Sequence, residues 1–505
     1  MQTSAQQSLA QAPIPQADVE RKAAMQSAWK AYRGQLPNPL KVTAGQPNDN
    51  VLSNRCEPIV NKGVSFLFGA VLKLEATDEN TDGNGGTDTP PAPVAAAPNT
   101  PPVRRKHRRT RSLKPSPKQD FLDGLWGDDD DRMTLLSQMG INGAVCGQQF
   151  VKLIPAQGAM QYPRLVVMDP MLVRMVSSPD DVSLVLAYII EYPVGDDLQK
   201  RQIIARIDPD GLALIDGYDD IDETWTITNY ARKGTAGSWF RVGAVEHWPY
   251  PFAPIFTNQN LPNPNELWGA ADLSPDLIEM NRVLNFVQSN TSRIIKFHAH
   301  PKTWAKGVGL GQISVAVDET IVLESDTAAI GVLEMKSDLH SSLAFAGVIR
   351  SDMDEQSRVP AVALGRLEAL PKGNISGVAL QLLFQPLVEK TTQKQRLYGQ
   401  MIRAVSRAAM VVAGIIPVAE FERCKIDLHW QNLLPIDDLS AAQTAQILQS
   451  IGVSSATILA KLGYDAEDEA VKSANEAALK PPPPAAPVPI APLPQETQQP
   501  QGAAA

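Results

Sequence analysis

The spacing of apolar residues predicts two long helices in the middle of the chain, with a β-rich insert between them. Residues 275–297 carry apolar side chains at alternating intervals of three and four, which places them on one helix face. Ser274 and Pro275 are typical of a helix start, as an N-cap and a first helical residue. A second helix is predicted over 337–358. The region between them, 301–335, contains short strand patterns.

Each helix has a predicted apolar seam that needs a neighbour to cover it. Three heptads are too few for a free-standing coiled coil, so these helices are expected to pack inside something larger. The first seam comprises Leu277, Met280, Leu284, Val287, Thr291 and Ile294. The second comprises Leu339, Leu343, Ala346, Ile349 and Met353.

The longest predicted helix covers residues 374–413 and follows an irregular stretch at 361–373. Pro386 lies inside it, so a kink is expected near that turn. Most of its basic residues are expected to form a solvated face or to contact other subunits. These residues are Lys390, Lys394, Arg396, Arg403 and Arg407.

Short strand patterns dominate the region from about residue 150 to residue 243. Trp225 and Ile227 alternate with threonines at 224, 226 and 228, the two-residue period of a half-buried strand. Further along, a strand is predicted near 425–429, and two or three short helices follow it.

Three stretches are predicted to contribute little to a core. Residues 1–45 form an N-terminal arm with a short surface helix. Residues 76–118 change from acidic and glycine-rich through Pro/Ala to strongly basic, and they have too little apolar surface to offset their ordering entropy. The Pro/Gln-rich tail, 477–505, has the same deficit. The last two stretches are therefore expected to be disordered.

Charge narrows the classes of partner. A net charge of −9 argues against wholesale coating of nucleic acid, although a local basic patch can still bind phosphates. One such patch lies in the insertion, and binding of nucleic acid and a solvated linker are equally compatible with it. Its main residues are Arg104, Arg105, Lys106, Arg108, Arg109 and Arg111.

Cysteine spacing and the lack of long apolar runs indicate the cellular environment. Three widely spaced cysteines suggest reduced thiols in a cytoplasmic environment. The N-terminus lacks the pattern of a secretory signal, and no run approaches the roughly 18 apolar residues of a membrane span. No membrane partner is expected.

A cluster of acidic residues at Asp128–Asp131 is the main candidate for metal chemistry. Clustered carboxylates can hold a divalent cation, as a metal-dependent nuclease would require. Acidic residues also gather at helix N-termini because of the helix dipole, and this interpretation is favoured. No metal, no cofactor and no enzymatic activity are predicted.

The order of these elements resembles a tailed-bacteriophage portal protein, a member of the head–tail connector family. The likeness covers residues 45–75 and 120–470. It is carried by the segments "NVLSNRCEPIVNKGVSFLFG", "NLPNPNELWGAADLSPDLIEMNRVLNFVQSN", "SRVPAVALG", "ALPKGNISGVALQLLFQPLVEKTTQKQRLYG" and "IDLHWQNLLPIDD". The insertion at 76–118 and the C-terminal tail depart from the family pattern.

The resemblance implies an α+β fold with an α/β wing, a two-helix stem, a small β clip, a long kinked helix and a helical crown. The expected parts are the wing at 46–75 and 119–270, stem helices at 271–300 and 336–358, the clip at 301–335, a tunnel loop at 359–373, the long helix and a wing strand at 374–434, and the crown at 435–476.

The resemblance also implies a function without catalysis. The subunits would form a ring, typically dodecameric, at one capsid vertex of the virion after assembly in the host cytoplasm. Double-stranded DNA would enter and leave through it. The expected partners are the terminase large subunit, the major capsid and scaffold proteins, and head-completion or adaptor proteins.

The resemblance implies two sets of functional residues, and one alternative function is considered beside it. Leu364, Arg366, Leu370 and Lys372 are expected to line the DNA channel, and Trp304 and Lys306 to meet terminase or connectors at the clip. The alternative is a minor head or scaffold-type protein that binds DNA or coat protein through the basic run and the tail.

Overall fold

In the computed structural model, the chain divides into two compact units, Met1–Leu433 and Leu434–Ala505. The structure describes residues 11, 14–42, 48–77, 116–206 apart from 159, 179 and 196, 225–299 apart from 235 and 236, 303–306, 329–332, 339–366, 377–430, 433, 438–462, 469, 472 and 473.

The helices of the first unit agree with most of the predicted ones. They are α1 (Gln16–Tyr32), α2 (Cys56–Phe68), α3 (Pro117–Trp126), α4 (Asp129–Cys146), α5 (Pro275–Ala299), α6 (Leu339–Ser357) and α7 (Gly377–Val412). The second unit contains α8 (Asp438–Ser450) and α9 (Ser455–Leu462), where crown helices were predicted.

The strands form small sheets in which every described pair is antiparallel. They are β1 (Lys73–Thr77), β2 (Gln148–Ile154), β3 (Arg164–Met168), β4 (Val173–Ser177), β5 (Val185–Val194), β6 (Leu198–Ala205), β7 (Trp225–Lys233), β8 (Phe240–Arg241), β9 (Glu246–Trp248), β10 (Ile255–Gln259), β11 (Thr303–Lys306), β12 (Ala329–Val332) and β13 (Lys425–His429). The largest sheet has the order β4-β5-β6-β7-β8, with β9 also paired to β7. The α+β class is confirmed.

The main core lies where α2, α4 and α7 meet the sheet β10-β2-β3. α7 has 36 residues, so it is about 54 Å long. Pro386 lies inside it, as predicted. Among the described residues, no helix is both long and apolar enough to cross a membrane.

The surface helix predicted in the N-terminal arm packs one side against this core. Met25, Ala28 and Ala31 of α1 are buried. They lie three residues apart, so one side of the helix is covered while its polar side faces solvent.

The predicted limits of the disordered insertion were too wide at both ends. Ala76 belongs to β1, which pairs with β13, and α3 begins at Pro117 behind the N-cap Ser116. The side chain of Gln119 joins the two ends: its amide oxygen accepts from the backbone N–H of Ala76 at 3.0 Å, and its amide nitrogen donates to the Leu74 carbonyl at 3.0 Å. The segment between these ends, 78–115, lies outside the described residues.

The alternation predicted for β7 is also incomplete. Trp225 is buried as expected, but Thr228 is fully buried as well. The reason is a second apolar cluster on the other side of the sheet, which contains Ile189, Ile203 and Tyr230. A strand covered on both faces loses the strict two-residue period.

A ladder of hydrogen bonds fixes the segment 51–55 along α5. Asn281, Asn285 and Ser289 are buried at intervals of four, and they accept from the backbone N–H groups of Arg55, Ser53 and Val51, each at 2.9 Å. Four residues of helix rise about 6.0 Å and two residues of extended chain about 6.6 Å, so the two spacings match. The sequence does not reveal this ladder, because its partners lie more than 220 residues apart.

Candidate functional site

The candidate site lies where the chain leaves α6 and turns toward α7, at the sequence "SRVPAVALGR". α6 ends at Ser357, and the next residue, Arg358, has a φ of 56°. Ser357 secures the turn, since its hydroxyl donates to the Asp354 carbonyl at 3.1 Å and accepts from the Val359 N–H at 3.3 Å. Val359 is fully buried and holds the turn against the core.

A single 3₁₀ turn, Ala361–Leu364, follows where an irregular loop was predicted. Gly365 ends it with a φ of 84°, a conformation that glycine adopts without steric cost. The predicted channel residue Leu364 packs partly against the main core. The two other predicted residues, Leu370 and Lys372, lie outside the described residues.

Asp354 gathers two arginines at the root of this loop. Its carboxylate accepts a hydrogen bond from Arg55 at 3.3 Å and pairs with Arg366 through its other oxygen. Arg366 was predicted to face DNA. Its side chain is 34% exposed, against 10% for Asp354, so it is committed to an ion pair and still reaches solvent.

A second cluster lies deeper, between the start of α5 and the middle of α7. The Asp272 side chain has no exposed surface, and its two oxygens lie 3.2 Å from Lys390 Nζ and 2.6 Å from Lys394 Nζ. Lys390 also donates to the Ser357 carbonyl at 2.9 Å. This lysine therefore joins the buried cluster to the end of α6.

The electrostatics of the buried cluster follow from burial and from the close charges. Burial opposes ionisation of Asp272, but the two lysines outweigh it and leave the pKa of this carboxyl below its usual range. Burial lowers the pKa of Lys394 to about 8, although Asp272 pulls in the opposite direction. Burial and the neighbouring Asp272 together raise the pKa of the Tyr398 hydroxyl.

Tyr398 extends the cluster to α4. Its hydroxyl donates to the Asn260 side-chain oxygen at 3.1 Å, and Asn260 donates to Asp272 at 3.2 Å. The hydroxyl lies against Gly143, where an added Cβ would come within 1.8 Å of it. Only glycine fits at that position without displacing the ring.

The prediction of a solvated or intersubunit face for the basic residues of α7 was wrong for Lys390 and Lys394, since both are buried. The signal was present in the sequence: Leu387, Lys394 and Met401 lie seven residues apart and therefore on one helix face. Arg396, by contrast, is exposed as predicted.

The predicted clip contains an antiparallel pair of strands, β11 and β12. Trp304 and Lys306 are both exposed on β11. Trp304 lies opposite Gly331, and a Cβ at Gly331 would come within 2.8 Å of the indole ring. The residues between the two strands, 307–328, and the basic run Arg104–Arg111 lie outside the described residues.

The acidic cluster has a structural role in the described part of the chain. Asp128 is the N-cap of α4, and its side chain accepts from the Asp131 N–H at 2.9 Å. Asp129 pairs with Arg132 at 3.3 Å. Among the described residues, no group of three or more His, Cys, Asp or Glu side chains could hold a metal ion. Cys56, Cys146 and Cys424 are buried, and none of them forms a disulfide.

Comparisons with known proteins bear on the same region. The chain is similar to a chain in a solved structure of the virion of a native gene transfer agent (GTA) particle, with 13% identity, 90% of this chain and 96% of that chain covered, and a TM-score of 0.42. No curated protein matches the sequence. Residues 251–479, which include α5, β11, β12, α6 and α7, match the model of the family "Phage portal protein, SPP1 Gp6-like", a structural and non-enzymatic family. The predicted resemblance to portal proteins is thereby confirmed.

Proposed function

We propose that this chain forms a closed ring at one vertex of a phage-type capsid and that double-stranded DNA passes through the ring during packaging and ejection. The match of residues 251–479 to portal proteins carries the proposal. In such a ring, terminase docks first and head-completion proteins follow, while capsid and scaffold proteins surround it. The chain supplies the passage, and its partners supply the chemical energy.

The exposed surface of the stem helices supports assembly. α5 and α6 pack against each other but leave several large apolar side chains in solvent, among them Phe286, Phe345 and Val348. Leu343, predicted to lie in the covered seam of α6, is 62% exposed. Apolar side chains clustered in this way mark an interaction surface. A ring of identical subunits covers such surfaces through head-to-tail contacts that close by rotation.

The loop root supports the assignment of the channel. Arg366 carries positive charge at the edge of solvent, next to the segment that leads to Leu370 and Lys372. Contacts with moving DNA should be made to phosphates and should be independent of sequence.

Trp304 and Lys306 offer an aromatic surface and a positive charge on the clip strands, where a terminase or connector would bind.

Particle composition tests the proposal against the scaffold-type alternative. The number of copies of this chain per capsid should equal the number of subunits in one ring. An antibody label should mark a single vertex per particle. DNase-resistant DNA should be absent when the chain is omitted. Many copies spread over the whole shell, with normal DNA content in their absence, would contradict the proposal.

A double substitution tests the channel residues. Arg366→Ala combined with Lys372→Ala should leave ring assembly intact and reduce the amount of packaged or retained DNA. Glu389→Ala combined with Arg396→Ala, two exposed positions on α7, serves as the control. Normal DNA yield and retention in the first variant would exclude these two residues as channel contacts.

A further inference from the structure

A cavity of about 280 Å³ opens between the stem helices on one side of the α5–α6 pair. Gln288, Thr291 and Ile295 line it from α5, and Leu343 and Arg350 from α6. Val51 closes another wall, so the cavity lies on the side where the 51–55 segment runs. The α5–α6 pair of one subunit thus has a recess with an apolar rim and one positively charged side chain, Arg350.

The opposite side of the same helix pair carries an aromatic and an acidic side chain that complement this recess. An α-helix turns about 100° per residue, so Phe345 and Asp352 lie on the side of α6 opposite to Leu343 and Arg350. Each of these pairs has a spacing of seven residues and therefore lies along one stripe of the helix. Phe345 is 52% exposed and Asp352 is also exposed.

From this arrangement the geometry points to the partner of the cavity: Phe345 of a neighbouring copy enters it, and Asp352 of that copy pairs with Arg350. The inference rests on the proposed ring and specifies its stem interface. The cavity and Phe345 lie at the same level of α6 on opposite sides of the helix. Each copy can therefore insert its Phe345 into one neighbour and accept Phe345 of the other neighbour in its own cavity. This is the requirement of a head-to-tail ring.

Charge supports the same partner. Within the described residues, neither Arg350 nor Asp352 has an ion pair in its own chain. Arg350 and Asp352 lie seven residues, about two helical turns, further along α6 than Leu343 and Phe345. A neighbour that fits its phenyl ring into the recess therefore brings its carboxylate close to Arg350.

The test is a charge exchange, followed by native mass spectrometry of the full chain over a range of concentrations. Arg350→Glu and Asp352→Arg should each shift the concentration at which half of the chains are in rings upward by at least about tenfold. The double variant, which restores opposite charges across the interface, should bring it back toward the wild-type value. Both positions have solvent access in the isolated subunit, and circular dichroism checks that each variant is folded.

Removal of the aromatic ring gives an independent measurement. Phe345→Ser should shift the same midpoint by at least about tenfold, as expected for an aromatic anchor at an interface. The control is Phe240→Ser in β8, which is 55% exposed in the wing sheet and should change nothing.

The outcomes separate the two proposals. If the wild-type chain forms no rings at any concentration, the proposed function fails. If it forms rings and neither the charge variants nor Phe345→Ser shifts the midpoint, the function stands and this interface is wrong. Disruption by both single exchanges without rescue by the double variant also overturns the pairing.

Discussion

Two clusters of one carboxylate and two cations lie at the two ends of the same polar network, and they differ in burial. Asp272 is enclosed together with Lys390 and Lys394 in the main core. Asp354 and its two arginines lie nearer to solvent, where the chain leaves α6 for the loop predicted to line the channel. Lys390 connects them through its hydrogen bond to the Ser357 carbonyl.

This difference separates stability from function. A charge removed from water loses its hydration, and only close partners compensate for that loss, so breaking the buried cluster must destabilise the fold strongly. An ion pair near solvent contributes much less to stability. We therefore expect the Asp272 cluster to hold the stem against the long helix, and the Asp354 cluster to set the position of the loop.

The largest expected effect comes from Asp272→Asn. The substitution keeps the size of the side chain and leaves two buried lysines without a carboxylate, which should cost about 3–5 kcal/mol of the free energy of unfolding. Urea unfolding followed by tryptophan fluorescence measures it. Asp276→Asn, at an exposed position in the first turn of α5, should change the same quantity by less than about 1 kcal/mol. Equal effects at both positions would remove the distinction between buried and exposed charges.

Gly143→Ala should have the next largest effect. The added methyl group would displace the buried Tyr398 hydroxyl, at a cost of about 1–3 kcal/mol. Two comparisons locate the cause. Gly347→Ala, where an added Cβ meets nothing within 4 Å, should stabilise the chain slightly, since alanine favours a helix. In a Tyr398→Phe background, Gly143→Ala should cost less; an unchanged cost would show that the hydroxyl is not the obstacle.

The dependence of stability on pH should reveal the buried lysine. The pKa of Lys394 is about 8 in the folded chain, below the roughly 10.4 of an unfolded lysine. Between these values the unfolded chain binds more protons, so stability should rise with pH by up to about 1.4 kcal/mol per pH unit.

The reference for this measurement is Lys394→Met. The difference in the free energy of unfolding between the wild type and this variant should increase from pH 8 to 10, because other titrating groups cancel in the difference. A flat difference would mean that Lys394 titrates as an ordinary lysine. At acid pH, the stability that ionised Asp272 provides should be lost as the pH falls through its lowered pKa.

The smallest effect on stability is expected at Asp354. Asp354→Asn should cost about 1–2 kcal/mol, because Arg366 can turn toward water whereas the mostly buried Arg55 loses its carboxylate partner. Its effect on DNA retention is more informative. If Arg366 acts by anchoring the loop, Asp354→Asn and Arg366→Ala should reduce retention equally. If Arg366 binds phosphate, only Arg366→Ala should reduce it.

Local chemistry explains what could be predicted from the sequence. The Ser274 hydroxyl caps α5 by accepting from the Leu277 N–H at 3.2 Å, as its position before Pro275 predicted. Helix lengths, the position of Pro386 and the strand near 425–429 also depend on neighbouring residues alone.

The missed features depend on distant partners. The ladder at Asn281, Asn285 and Ser289 needs the 51–55 segment, and the burial of Lys390 and Lys394 needs Asp272 more than 110 residues away. An amphipathic pattern places a lysine on a helix face, but only its partner makes burial possible. For the same reason the ion pair of Arg366 with Asp354 could not be seen in the sequence, where Arg366 was assigned to DNA alone.

The ring itself is tested most directly by the mass of the purified full-length chain, measured by native mass spectrometry with electron microscopy of the same sample. We expect one dominant closed species, such as a dodecamer, with a central opening wide enough for duplex DNA. A monomer or dimer at every salt and protein concentration would contradict it.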